Sequence, residues 1–232
     1  MKAFWIAAVI AVTGASGAMA QNWGAQGQCA VPTATVNLVQ SKLATVINIP
    51  DHNGGLFAPN RMWSAIVDRK GVLCSVINSG NDPWPGSRDI AIAKATTANG
   101  FSNSALALST ANIYGPTQPG GSLYGLNNSN PFNPWFNPQN SGIGFVPGGI
   151  ITFGGGVALY LGGQVIGGLG VSGDTSCADH AISYRMRHLA GLDGIPPGGV
   201  GLNGTDNIVY GSLPIDPTKF VQPHCISTDI TP

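Results

Sequence analysis

Residues 147–173, PGGIITFGGGVALYLGGQVIGGLGVSG, carry 11 glycines in 27 positions. Glycines this dense among Ile, Val, Leu and Phe are not a flexible linker, which would be rich in Ser and poor in β-branched residues. They predict a β-hairpin that is bare on one side, so that a ligand or another backbone can approach closely. The expected strands are 149–161 and 164–171 around Gly162-Gly163. Asp174 is the expected cap of a helix over 175–189, whose last turn holds Arg185, Arg187 and His188 where cations suit the helix dipole.

The rest of the chain fills in around this block. Val36, Val39, Leu43 and Val46 recur at helical spacing, predicting a helix over 33–47 that Pro50 stops. A hairpin is expected over 62–67 and 72–77, turning on Asp68-Arg69-Lys70-Gly71. Ser87 is a good cap for a helix over 88–99, ended by Gly100, whose Ile90, Ala91, Lys94, Ala95 and Ala98 form a small face suited to packing on a sheet. A short helix is expected over 103–110. Residues 114–147 are rich in Gly, Pro and Asn yet hold Phe132, Trp135 and Phe136, so they read as an ordered loop over a pocket or a subunit contact. Hairpins joined by tight turns, interleaved with helices, give an α+β fold: an antiparallel sheet covered by helices in a single domain over 21–232. Its core is placed at about 33–191 and its tail at 192–232.

The first 20 residues are read as a secretory signal peptide. Lys2 supplies the charge, residues 3–12 the apolar stretch, and Ala18-Met19-Ala20 the cleavage site, so the protein is expected to be periplasmic or secreted. Without Lys2 the chain has 9 basic and 10 acidic side chains, a net charge of −1. Only 9% of residues are charged, which offers no footprint for nucleic acid and favours apolar surface that self-association would cover. No stretch is expected to span a membrane. The cysteines Cys29, Cys74, Cys177 and Cys225 all follow the leader and lack any C-x-x-C spacing, so two structural disulfides are expected. Three connectivities are open, of which Cys29–Cys74 with Cys177–Cys225 closes the shorter loops.

Three blocks occur in order: VDRKGVL in the first hairpin, IAIAKATTA in the second helix, and GGQVIGGLGVSG followed by D-x-x-x-A-D-H-A. Together they resemble the GlcG/HbpS (DUF336-type) family over about residues 62–189. The resemblance implies a profilin-like α+β layout and non-covalent heme binding. The loop 114–147, the long tail and the four cysteines depart from the family pattern.

Heme binding requires an apolar slot and an axial ligand. Trp63, Trp84, Phe145, Phe153 and Tyr160 are candidates for the slot, with Gly154, Gly155 and Gly156 at its mouth. His180, directly after the family block, is the first axial candidate to test, ahead of His52, His188 and His224, although a first-turn helix histidine more often makes a local hydrogen bond. Lys94 is the candidate partner for a carboxylate, ahead of Arg88. Asp174 is a cap that burial would turn into an acid or base. No nucleophile elbow, metalloprotease motif or phosphate loop is present. Three functions remain in competition: an exported, self-associating binder of a small ligand, with heme first; a periplasmic enzyme acting on a small aromatic or carbonyl compound; and a purely structural or assembly role, for which the low charge speaks.

Overall fold

The computed structural model describes residues 27–80, 84–129 and 142–232. Residues 1–20, read from sequence as a signal peptide, and the aromatic residues Phe132, Trp135 and Phe136 lie outside the described residues. Three α-helices, α1 (Thr33–Val46), α2 (Ser87–Phe101) and α3 (Ser176–Leu189), pack on a four-stranded antiparallel sheet. Its strands are β1 (Trp63–Asp68), β2 (Leu73–Asn78), β3 (Gly156–Leu161) and β4 (Gln164–Ser172), in the order β2-β1-β4-β3. Two short strands in the tail, β5 (Tyr210–Gly211) and β6 (Gln222–Pro223), pair in parallel.

Alternation along the strands divides the core between the two faces of the sheet. Ile66, Val157, Leu159, Leu169 and Val171 meet Val36, Val39 and Leu43 of α1 and Ile182 and Met186 of α3. On the opposite face, Trp63, Ala65 and Val67 pack with Ala91, Ile92 and Ala95 of α2. The helices therefore cover both sides.

The glycines of β4 explain how α2 comes so close. Ala65 of β1 pairs with Gly170, and Val67 pairs with Gly168. A Cβ placed on Gly170 would overlap the carbonyl oxygen of Ala91, and one on Gly168 that of Ala95. The bare side of the hairpin thus receives the backbone of a neighbouring helix, the second of the two readings the sequence left open. At the hairpin tip Gly162 and Gly163 have φ of 58° and 76°, the pair of positive angles a two-residue turn of this kind needs.

Several local expectations change. Strand β3 begins at Gly156 rather than at 149. Helix α2 runs through Gly100 to Phe101, and its start has no side-chain cap from Ser87. Residues 103–110 are not helical, because the Asn103 side chain accepts from the N–H groups of Ala105 and Leu106 and closes a turn of its own. Helix α3 is capped by Thr175, which accepts from the Ala178 N–H at 3.1 Å, and not by Asp174. Asp68 acts as the turn residue expected of it, accepting from Lys70 and Val72, and it also receives Ala30 from the N-terminal segment.

Both disulfides form: Cys29–Cys74 ties the N-terminal segment to β2, and Cys177–Cys225 ties the tail to the first turn of α3. By chain entropy each contributes about 2–4 kcal/mol. Among the described residues no helix is long and apolar enough to cross a membrane.

Candidate functional site

Residues 153–156 lead into β3 between the N-terminal half of α3 and the middle of α2. Here the predicted glycine triplet meets two other predicted site residues, Lys94 and His180. A Cβ on Gly155 would lie 2.7 Å from Lys94 Nζ and 2.9 Å from Asp179 Cβ, and one on Gly154 would lie 2.9 Å from His180 Cβ. Gly156 is filled in the same way, by the Lys94 carbonyl and the Thr110 methyl. The triplet is a floor against which Lys94, Asp179 and His180 converge, and its bare positions are occupied by the protein's own atoms.

Lys94 Nζ donates to Asp179 at 2.6 Å and to the Val171 carbonyl at 3.2 Å, and it lies 4.9 Å from the centre of the Phe153 ring. Burial pushes the Lys94 ammonium down and the Asp179 carboxyl up, to about 7, so desolvation drives both toward their neutral forms while their mutual attraction resists. The other oxygen of Asp179 accepts from the Asp174 N–H at 3.0 Å. Asp179 was not singled out from sequence. The signal was there: an acid inside D-x-x-x-A-D-H-A, in the first turn of α3, with a lysine in the separate block IAIAKATTA to pair with it.

His180 is 0% exposed. Its Nε2 stands 3.0 Å from Asn207 Oδ1 and 3.0 Å from the Ile208 nitrogen, whose N–H also reaches Asn207 Oδ1 at 2.8 Å; with the ring proton on Nε2 the imidazole donates to Asn207 Oδ1, and Nδ1 has no hydrogen-bond partner. Burial lowers its pKa to about 4, so the ring is neutral at physiological pH. The Tyr184 ring lies 5.7 Å away. One turn further along α3, the fully buried Arg187 makes two 2.6 Å bonds to Asp206 and donates to the Ala158 carbonyl. This is the forked geometry in which a guanidinium binds a carboxylate best.

Three of these contacts come from the tail, which the sequence pattern left uninterpreted. Asp206 holds Arg187, Asn207 and Ile208 hold His180, and Gln222 reaches the glycine floor. Gln222 accepts from the Gly154 N–H at 2.6 Å and donates to Ser176 Oγ at 3.0 Å. It is 1% exposed.

The remaining predicted site residues lie elsewhere. Asp174 does not face the glycine floor. Its carboxylate accepts from the N–H groups of Leu56 and Phe57 and from Asn60 Nδ2, clamping the loop after α1. Trp63 packs in the core facing α2. Trp84 is exposed and stands 6.4 Å from the Phe57 ring. Tyr160 donates to the Asn103 carbonyl at 2.7 Å. Of the other histidines, His188 pairs with Asp193 at 2.6 Å, and His224 stacks on Tyr210 at 4.0 Å. An open cavity of about 530 Å³ lies beside the Cys29–Cys74 disulfide, lined in part by Val31, Val36, Leu73 and Ile143, with no histidine, lysine or acid in its wall.

A family model described as "Haem degrading protein HbpS-like" matches residues 58–186. An uncharacterised 15.0 kDa protein from Citrobacter freundii, encoded in the dhaT-dhaS intergenic region, is 30% identical over 145 residues, which are 62% of this chain and 75% of that protein. Among solved structures, Klebsiella pneumoniae ORFY, a DUF336 protein, is 24% identical with a TM-score of 0.50, covering 69% of this chain and 90% of its own. A PduOC:heme complex is 23% identical with a TM-score of 0.52, covering 68% of this chain and 94% of its own. The matched span 58–186 ends just before Arg187, so the tail lies outside it.

Proposed function

Because this chain belongs to the HbpS-like family, we propose that it is an exported, self-associating protein that binds a small ligand non-covalently, with heme as the first ligand to test. The observation that carries this reading is the convergence behind Gly154–Gly156 of a neutral, buried His180 with one open ring nitrogen and the buried Lys94–Asp179 pair. Such a set is costly to bury and is more often kept for a site than for packing alone. The family description and the heme-bound relative support heme as the ligand class.

The fit to heme is divided. A neutral imidazole that carries its proton on Nε2, toward Asn207 Oδ1, has a free lone pair on the unpartnered Nδ1 and so suits an axial ligand. The volume does not suit a macrocycle. His180 is 0% exposed with Asn207 and Ile208 against Nε2, and a Cβ on Gly154 would already overlap the Ser176 carbonyl. In the arrangement described, the slot beside His180 is full.

Titrating the purified exported form with hemin, alongside His180→Ala, tests the reading. A Soret band that the substitution abolishes is the expected result, and no spectral change in any form of the protein overturns it. Export is checked by the mass of the secreted chain, which should begin at Gln21. Self-association rests on the low charge and on exposed Leu56, Trp84 and Tyr124, and a monomer in sizing chromatography would rule it out.

A second reading, an enzyme acting on a small aromatic or carbonyl compound, is favoured by the Lys94–Asp179 pair, because a lowered amine and a raised carboxyl are poised to exchange a proton. Here too the pair must first become accessible.

A further inference from the structure

Four side chains of the tail are each fastened to a group on α3 or on the glycine floor: Asp206 to Arg187, Asn207 to His180, Gln222 to Gly154 and Ser176, and Cys225 to Cys177. The tail has no place in the span matched by the family model. Its side chains nevertheless fill the most polar part of that span.

We propose that the Gln222 carboxamide stands in for a carboxylate-bearing ligand, and that the Cys177–Cys225 disulfide decides whether that ligand can enter. The proposal rests on the reading that the cluster around His180 is the ligand site, and it names the ligand's recognition group and the gate.

The chemistry follows from what the tail leaves behind when it lifts. The Gly154 N–H loses Gln222 Oε1, and the Cys177 N–H loses Cys225 Sγ, to which it donates at 3.2 Å. The Ser176 hydroxyl loses both Gln222 Nε2 and Cys225 Sγ. Three donors then face one space at the positive end of α3. Donors left without acceptors are costly, and a carboxylate, which only accepts, satisfies all three. One carboxylate oxygen takes the position of Gln222 Oε1. The other takes that of Nε2, with the Ser176 hydroxyl turned to donate. His180 borders the same space, since its Cβ is the neighbour of Gly154 and its Nε2 is freed from Asn207 and Ile208. Of the nearby acids, Asp179 is balanced by Lys94, Asp174 is turned onto Leu56, Phe57 and Asn60, and Asp229, within 4.8 Å of both latch sulfurs, sits on the tail itself and accepts from the Cys225 and Ile226 N–H groups.

The gate is a thiol–disulfide exchange with a dithiol reductant. The two thiols of the reductant become its own disulfide and give up two hydrogens and an electron pair. The Cys177–Cys225 bond breaks, and each sulfur ends as a thiol. The tail then keeps its hydrogen bonds, the Arg187–Asp206 pair and the packing of Ile208 and Tyr210 against Ala111.

The test uses the full exported chain and two probes, benzoate and benzamide, read by hydrogen exchange of the Gly154 and Ile208 amides. In the oxidised wild type both amides are slow and benzoate changes neither. Replacing the latch (Cys177→Ser with Cys225→Ser), which leaves Cys29–Cys74 intact, speeds both amides, and benzoate then slows Gly154 again. Benzamide binds about tenfold more weakly, as one lost charge-assisted hydrogen bond predicts. Should that variant not fold, Cys225→Ser alone breaks the same latch with one substitution and is expected to bind benzoate in the same way. Unchanged Gly154 exchange with benzoate in these variants, or equal benzoate binding by the oxidised wild type, overturns the proposal. Failure of the heme reading is seen separately: hemin gives no Soret band in any variant while benzoate still protects Gly154.

Discussion

Lys94 Nζ sits 2.6 Å from an Asp179 oxygen, and the two side chains are 0% and 2% exposed, so one ion pair links the middle of α2 to the first turn of α3 across the end of β4. Removing one member strands the other charge away from water. Lys94→Met and Asp179→Leu are each expected to cost about 3–5 kcal/mol, and the two together less than their sum. Urea unfolding of the three variants measures this, and strictly additive losses would show that the two residues do not act as a pair.

His180 gives the protein a pH dependence of known sign. Its folded pKa is lowered to about 4 from 6.5, mainly by burial, with Asn207, Asp206, Arg187 and Lys94 as the groups acting on it. Between those values the unfolded chain binds more protons than the folded one. Stability therefore rises with pH through this window, and this contribution is lost as pH falls through it, by about 3 kcal/mol at most. The raised Asp179 acts in the opposite direction, so the informative quantity is the difference between wild type and His180→Gln. Parallel stability–pH curves for the two proteins would contradict the assignment.

Gly170→Ala tests the close approach of α2 to β4. The added methyl meets the Ala91 carbonyl, a backbone atom that moves only if the whole helix moves. A loss of about 2–3 kcal/mol is expected, against little change for Gly162→Asn at the hairpin tip, where the space is open and asparagine tolerates the positive φ. Thermal melts of both variants decide the matter.

Asp174 is expected to act as a clamp and not as a ligand. Asp174→Ala removes the acceptor for the Leu56 and Phe57 N–H groups. Hydrogen exchange at these two amides should speed up while that of Gly154 stays the same. Loss of benzoate binding in the tail-opened protein, with those two amides unchanged, would return Asp174 to the ligand site.

The elements that the sequence made legible are those whose signals are local. Val36, Val39, Leu43 and Val46 marked the buried side of α1 because helical spacing is a property of the chain alone. Gly162-Gly163 marked the hairpin tip because few other residues adopt those angles. The short helix expected over 103–110 failed because a single side chain, Asn103, satisfied the N–H groups that a helix would have used. In the candidate site, Lys94 and His180 lie in the family blocks, and Gly154–Gly156 in the glycine-rich run before the third block. What covers them was not. Asp206, Asn207 and Gln222 follow no period, and their partners are fixed only when the tail folds back onto α3. Lone polar residues in a Gly/Pro-rich stretch anchored by Cys225 were the sole hint.

The two disulfides close separate loops, 29–74 and 177–225, that do not overlap. Residues 75–176, with α2, β3 and β4, lie in neither. A protease that cuts once within 30–73 or 178–224 leaves one covalent molecule, whereas a cut within 75–176 yields two pieces joined by packing alone. For a cut within 75–163, the strands at the centre of the sheet, β1 and β4, belong to different pieces. On a non-reducing gel the position of a single nick can thus be read from the number of bands, and a nicked protein that still melts cooperatively would show that the sheet holds without covalent help.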